Sequence, residues 1–509
     1  MLFVMKRFAS VLVTSAFYAF AIAARADVKL PAIFGNHMVL QRATAVPVWG
    51  TAAPGEEVTV TIAGQTATAK AGADGKWSVK LAPLAAAGPH TLTVKGQNTV
   101  TFSDVLVGEV WLGSGQSNMA MQVSRAKNFE QEQTAAKLPQ LRMFTEASPN
   151  SPTAQFTGKG EWVVCSPDTV GRFSATAYFF GREIHQALGV PVGLIHSSVG
   201  GTPIESWIAP ETQQSAPELK AFSEVLEKTA RPVDPAQAKA KFEADLAKWQ
   251  AAAKQAKADG KPAPKRPQDP TALAERKSNV GGLFNGKISP LIPYAIRGAL
   301  WYQGEANTSA EKAPFYAAQL RLLVTDWRAR WGYEFPFAWV QLPNFGAPPG
   351  RDWPTVREAM LKTLSLPNTG MAITIDLGEE KDIHPKNKQD VGRRLAAWAL
   401  GTVYGQKVAT SGPSPAGHQV RGGEVVLKFS HTDGGLRAQD GELKGFVIAG
   451  EDKKWQPATA RIEGETVIVT NPNVKSPVAV RYAWENWPTC NLYNGAGLPA
   501  SPFRTDDWK

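Results

Sequence analysis

The residues of this chain best suited to chemistry are a serine, a histidine and a carboxylate in separate polar segments. Ser117 lies in GSGQSNM (113–119), where glycines, serines and amides, all unable to fill a core, follow the apolar VLVGEVWL. Such a composition also suits an ordinary surface turn. A serine hydroxyl is a weak nucleophile until a base takes its proton. His384 in GEEKDIHP (378–385) is the natural base, and of seven histidines it alone lies in a motif of this kind. A carboxylate should orient and charge-stabilise the imidazole. Asp382 stands two positions before His384, and in an extended loop side chains at i and i+2 point the same way; Asp376 is its rival. A tetrahedral intermediate also needs donors aimed at its oxyanion. The candidates are the backbone N–H groups of Ser117 and of Gly200 or Gly201, in SVGGT (198–202), and the side-chain amide of Gln303, in QGEAN (303–307). Asn118 either contacts ligand or caps the following helix. Glu305 is either a second acid-base carboxylate or a tie between loops. His196, within a strand, reads as a core residue.

These motifs need elements that bring them together. VLVGEVWL (105–112), VGLIHSS (192–198), AIRGALWY (295–302), FAWVQL (337–342) and MAITIDL (371–377) read as buried strands. Between them lie helices: 173–188, and a segment after Pro314 in which Tyr316, Leu320, Leu323, Trp327 and Trp331 recur at helical spacing. Strand-helix alternation predicts an α/β fold with a mostly parallel sheet covered on both faces. In such a sheet ligands sit beyond the carboxyl ends of the strands, and four of the five strands run into one of the motifs. Residues 27–104 alternate as in a small antiparallel β-sandwich. Residues 401–480 return to strand alternation, either packed on that sandwich or standing alone, and the aromatic tail should wrap the surface. The Ala/Lys-rich 211–280 interrupts the catalytic unit, 105–400, as an inserted helical hairpin with a loose tip.

The net charge of +10 suggests nucleic acid, but much of the Lys lies in 218–279 interleaved with Glu and Asp, the look of a solvated face. Lys6 and Arg7 precede an apolar stretch ending at Ala24-Arg25-Ala26, which reads as a signal peptide, 1–26, cleaved after Ala26. Export therefore argues against a nucleic-acid partner, and no later segment is long and apolar enough to span a bilayer. Cys165 and Cys490 either pair or remain free. No Cys/His cluster has zinc spacing and no Gly-rich loop has a dinucleotide or P-loop pattern, so no metal or cofactor is expected. The absence of G-x-S-x-G argues against an α/β-hydrolase elbow.

GQSNM, S-x-GGT, WYQGE and DIHP, in that order, resemble the blocks of the SGNH/GDSL hydrolase superfamily, specifically its sialate O-acetylesterase branch. The likeness extends to VCSPDTVGRFSATAYFFGREI, GLFNGKISPLIPYAIRGALWYQGEAN and GLPASPFRTDDW. It implies an SGNH-type three-layer fold with Ser117, Asp382 and His384 as triad and the glycine pair with Gln303 as oxyanion hole. The superfamily spaces its last pair D-x-x-H, whereas here it is D-x-H, so Asp382 carries over less directly than His384. The expected activity is removal of O-acetyl groups from carbohydrates, through an acyl-enzyme and without a cofactor. The substrate would be acetylated sialic acid or a hemicellulose such as xylan or xyloglucan. A sialate carboxylate would want an arginine, for which Arg357 in WPTVREA is the candidate; otherwise Arg357 is structural. The rival class is a non-catalytic glycan-binding protein using exposed Trp.

Overall fold

One strand, Thr99–Gly115, ties two parts of the molecule together. Its first residues alternate between exposed and half-buried, and everything from Val105 to Gly115 is buried. The change follows the sequence: TVTFSD pairs in a sheet with one wet face, whereas VLVGEVWLGSG enters a sheet covered on both. The expected boundary at 104/105 therefore falls inside a continuous strand. This is a computed structural model, and it describes residues 27–229, 234–259, 264, 266, 267, 269 and 280–508. The expected signal peptide lies outside the described residues.

In the central sheet the strands run in the order Thr369–Ala372, Phe337–Val340, Gly298–Tyr302, Thr99–Gly115, Val192–Ser198, Leu141–Thr145, Trp162–Val164. All these pairings are parallel except the last. Two of the strands, Leu141–Thr145 and the antiparallel edge Trp162–Val164, escape the sequence reading because they are only five and three residues long. Of MAITIDL only Met371 and Ala372 lie in a strand, Thr369–Ala372, and the chain leaves the sheet before Asp376.

Successive side chains serve opposite faces. Trp111, Leu194, Leu300 and Ala338 join the helices Ala175–Leu188 and Lys388–Trp398 in one core. Leu112, Ile195, Trp301 and Trp339 join Tyr316–Trp331 and Trp353–Thr363 in the other. This is an α/β arrangement of sheet between helical layers. Ser174 caps its helix by accepting from the N–H of Ala177, and its Oγ also donates to the carbonyl of Met119 at 2.6 Å. One cap thus starts a helix and pins the turn carrying Ser117. Pro314 lies in a separate turn, Ala313–Phe315, just before its helix.

The N-terminal strands share the core of the second face, with Val58 and Val60 in the same cluster as Trp301. The C-terminal residues form their own core around Val425, Ile448 and Tyr482. Their described ties run to the central unit: Arg504 with Glu358, Ser501 with Gln341, and Tyr493 with Asp376. The expected wrapping tail supplies sheet strands, Ala479–Tyr482, Leu492–Asn494 and Phe503–Arg504. The insertion holds the helices Lys220–Thr229 and Pro235–Ala258, while its tip lies partly outside the described residues. Cys165 and Cys490 are both free thiols, and burial pushes them up to about 12 and about 11. Among the described residues no helix is long and apolar enough to cross a membrane.

Candidate active site

Register brings the motifs together. Gly115 pairs with Ser198 on one side and Tyr302 on the other, so three of the four polar motifs leave the sheet at one level. Gly115 has φ +135°, and a Cβ there would collide with the Tyr302 carbonyl that accepts from the Gln116 N–H. Only glycine permits that close crossing. The next residue, Ser117, opens the short helix Ser117–Ala120.

Nε2 of His384 lies 2.8 Å from Oγ of Ser117. Oδ1 of Asp382 is 3.5 Å from Nδ1 of the same ring and accepts the His384 backbone N–H at 2.9 Å. The rival Asp376 is engaged elsewhere: both of its oxygens meet the Arg394 guanidinium and one also accepts from Tyr493. Burial lowers the His384 pKa below its ordinary 6.5; the Lys388 and Arg125 cations push the same way and Asp382 opposes them. The imidazole is therefore held ready to accept a proton at neutral pH. His196 bonds to Ser198, and burial lowers it to about 4, in keeping with a structural histidine.

Gly200 stands against Ser117, since a Cβ on it would lie 3.4 Å from Cβ of that serine. Gly201, at φ +73°, makes the following turn. The backbone N–H groups of Ser117, Gly200 and Gly201 have no partner among the described residues. Gln303 does not serve as expected. Its side chain is wholly buried, with Nε2 donating to Gln116 Oε1, Thr202 O and Asn307 Oδ1. Gln303 holds three loops together, and the amide on the cleft is Gln116. Gln116 Oε1 is fixed by Gln303 and by the Ala306 N–H, while its Nε2 has no described partner.

Asn118 and Arg357 also depart from expectation. Asn118 is fully buried, donating to Glu305 Oε1 at 2.6 Å and to the Ile383 carbonyl at 3.0 Å while accepting from Lys388 Nζ at 2.7 Å. It ties the Ser117 turn to the His384 loop and neither lines the cleft nor caps the helix. Lys388 also donates to the Pro385 carbonyl, and burial depresses it to about 7. Glu305 borders the cleft, with its pKa raised by burial and its Oε2 without a partner among the described residues. Arg357 lies away from the cleft and is fully buried, donating to the carbonyls of Leu342, Pro343, Glu485 and Asn486. It bolts the C-terminal region to the central unit.

Ser117 and His384 open into a cleft of about 720 Å³, flanked by Gly200, Gly201, Arg125, Lys312 and Arg351. Lys312 pairs with Glu205 at 2.8 Å. Arg125 and Arg351 are exposed, and neither guanidinium has a hydrogen bond or ion pair among the described residues. Sequence reasoning missed these cations because isolated Arg and Lys in loops carry no spacing signal.

The sialic acid-specific acetylesterase family of carbohydrate esterases matches residues 107–240 and 286–400. The sialate O-acetylesterase of Rattus norvegicus is 31% identical over 92% of this chain and 92% of its own length. That of Homo sapiens is 30% identical over 92% and 90%. The chain belongs to the sialate O-acetylesterase family. A crystal structure of a carbohydrate acetylesterase from Xanthomonas citri is 36% identical and superposes with a TM-score of 0.80, covering 95% of this chain and all of that one. Carbohydrate O-acetyl ester hydrolysis is thus the chemistry of this enzyme, and the glycan-binding alternative is set aside.

Proposed function

We propose that this esterase is an exported, SGNH-type serine enzyme that removes O-acetyl groups from an acidic sugar of the sialic acid class. The 2.8 Å approach of His384 Nε2 to Ser117 Oγ carries the catalytic reading. Ser117 Oγ attacks the acetyl carbonyl while His384 takes its proton, and Asp382 favours the imidazolium that results. The N–H groups of Ser117 and Gly200, with Nε2 of Gln116, are the donors for the oxyanion. His384 then returns the proton to the departing sugar oxygen. Water, deprotonated by the same ring, releases acetate and frees the serine.

Arg125 and Arg351 support an acidic substrate, because a guanidinium is suited to a carboxylate and neither has one among the described residues. Lys312 is already neutralised by Glu205. Faster acetate release from acetylated xylan than from O-acetylated sialic acid would move the substrate to the hemicelluloses. Hydrolysis of 4-nitrophenyl acetate tests the chemistry: Ser117→Ala should lose a factor of about 10³ or more in kcat. Equal rates would remove Ser117 from the mechanism. Export is tested by the mass of the mature chain, which should begin at Asp27.

A further inference from the structure

A second groove opens beside the catalytic cleft. It has a volume of about 600 Å³ and is bordered by Gln122, Met143, Thr145, Glu161, Arg172 and Phe173. Thr145 ends the Leu141–Thr145 strand, which runs parallel to Val192–Ser198, so the groove lies along the same carboxyl-end rim as the glycine pair. One 3-10 turn, Val123–Arg125, preceded by Gln122, borders both openings. Gln122 faces the groove and Arg125 the cleft. Three residues of such a turn advance about 6 Å along the chain, so a residue of each opening stands within one turn of the other.

The two openings differ in charge. The cleft presents Arg125 and Arg351, and the groove one acid and one base, Glu161 and Arg172, all exposed and without side-chain hydrogen bond or ion pair among the described residues. Ala147 and Val163 give it an apolar side. Charged acceptors and donors around an apolar patch suit an uncharged sugar, with hydroxyls for the rim and a C–H face for the floor.

We propose that this groove is a subsite for the neutral glycan to which the acetylated acidic sugar is joined. The inference rests on the acidic-sugar reading above. In a sialic acid the carboxylate and the glycosidic oxygen share one carbon. If Arg125 holds the carboxylate, the linked sugar leaves from beside Arg125 and crosses Gln122 into the groove. The enzyme then recognises the linked sugar better than the free one.

The test compares acetate release from free O-acetylated sialic acid and from the same residue in sialyllactose. Wild type should favour the linked form in kcat/KM by about tenfold or more, as expected for one hydrogen bond to a charged group. Ala147→Trp, placed to fill the groove, should bring that ratio to near one. Arg172→Ala repeats the comparison without added bulk and should lower the ratio by about threefold or more. A linked-to-free ratio near one in wild type, or one that neither variant moves, overturns the subsite alone. No acetate release from either sugar overturns the substrate reading, and the subsite with it.

Discussion

Oδ1 of Asp382 reaches both the backbone N–H of His384, at 2.9 Å, and the Nδ1 of its ring, at 3.5 Å. One carboxylate oxygen therefore shapes the loop and faces the imidazole. The D-x-H spacing makes this possible, because the acceptor of a tight turn is also the ring's nearest anion.

Asp382→Asn should lower kcat by about 10²-fold, less than for a fully buried triad carboxylate, because the Asp382 side chain is 44% exposed and solvent screens it. Asp376→Asn should leave kcat within about threefold and lower Tm by about 4 °C or more, since it breaks a largely buried pair with Arg394. Steady-state kinetics and thermal melts separate the two. The reverse order of kcat losses would transfer the orienting role to Asp376.

The pH profile should report the His384 environment. Neutral imidazole is the reactive form, and its lowered pKa places the acid limb of kcat/KM below pH 6.5. Asp382 raises that pKa and Lys388 lowers it. Asp382→Asn should therefore move the limb to still lower pH, and Lys388→Met to higher pH. Opposite shifts would show that these charges do not act on the titrating base.

Asn118→Ala removes three hydrogen bonds at once, leaving the Glu305 carboxyl, the Lys388 ammonium and the Ile383 carbonyl short of a partner in the interior. Each unpaired buried group costs about 1–3 kcal/mol. Tm should fall by about 5 °C or more, and kcat by about tenfold as His384 loses its fixed loop, with KM nearly unchanged. A change confined to KM would place Asn118 on the substrate instead.

Arg357→Lys tests the corrected role of the buried arginine. One ammonium cannot serve carbonyls on both sides of the junction as the planar fork does. The variant should melt at least about 4 °C lower while KM for O-acetylated sialic acid stays within about twofold. A tenfold rise in KM at unchanged Tm would return Arg357 to the binding site.

Much of the site was legible because its chemistry is tied to strand ends. Ser117 and His384 stand out as reactive types in segments that cannot fill a core, and the strands before the first three motifs were recognisable as apolar runs. Gln303 and Gln116 show the limit. Both are glutamines just beyond a strand end, and composition does not say which amide turns inward. Packing chose: Gln303 found three acceptors inside, and Gln116 was left with a free Nε2 on the cleft.

Sequence alone determined the α/β class and the family, and it singled out Ser117 and His384 as the candidate pair, since these depend on residue type and order along the chain. Only the tertiary structure decided which carboxylate faces the ring, that Asn118 and Arg357 act as ties, and that Arg125 and Arg351 flank the cleft. Those outcomes depend on side-chain direction and on partners far away in the chain. The 267 positions between Ser117 and His384 are bridged by strand register, which exists only once the sheet has formed.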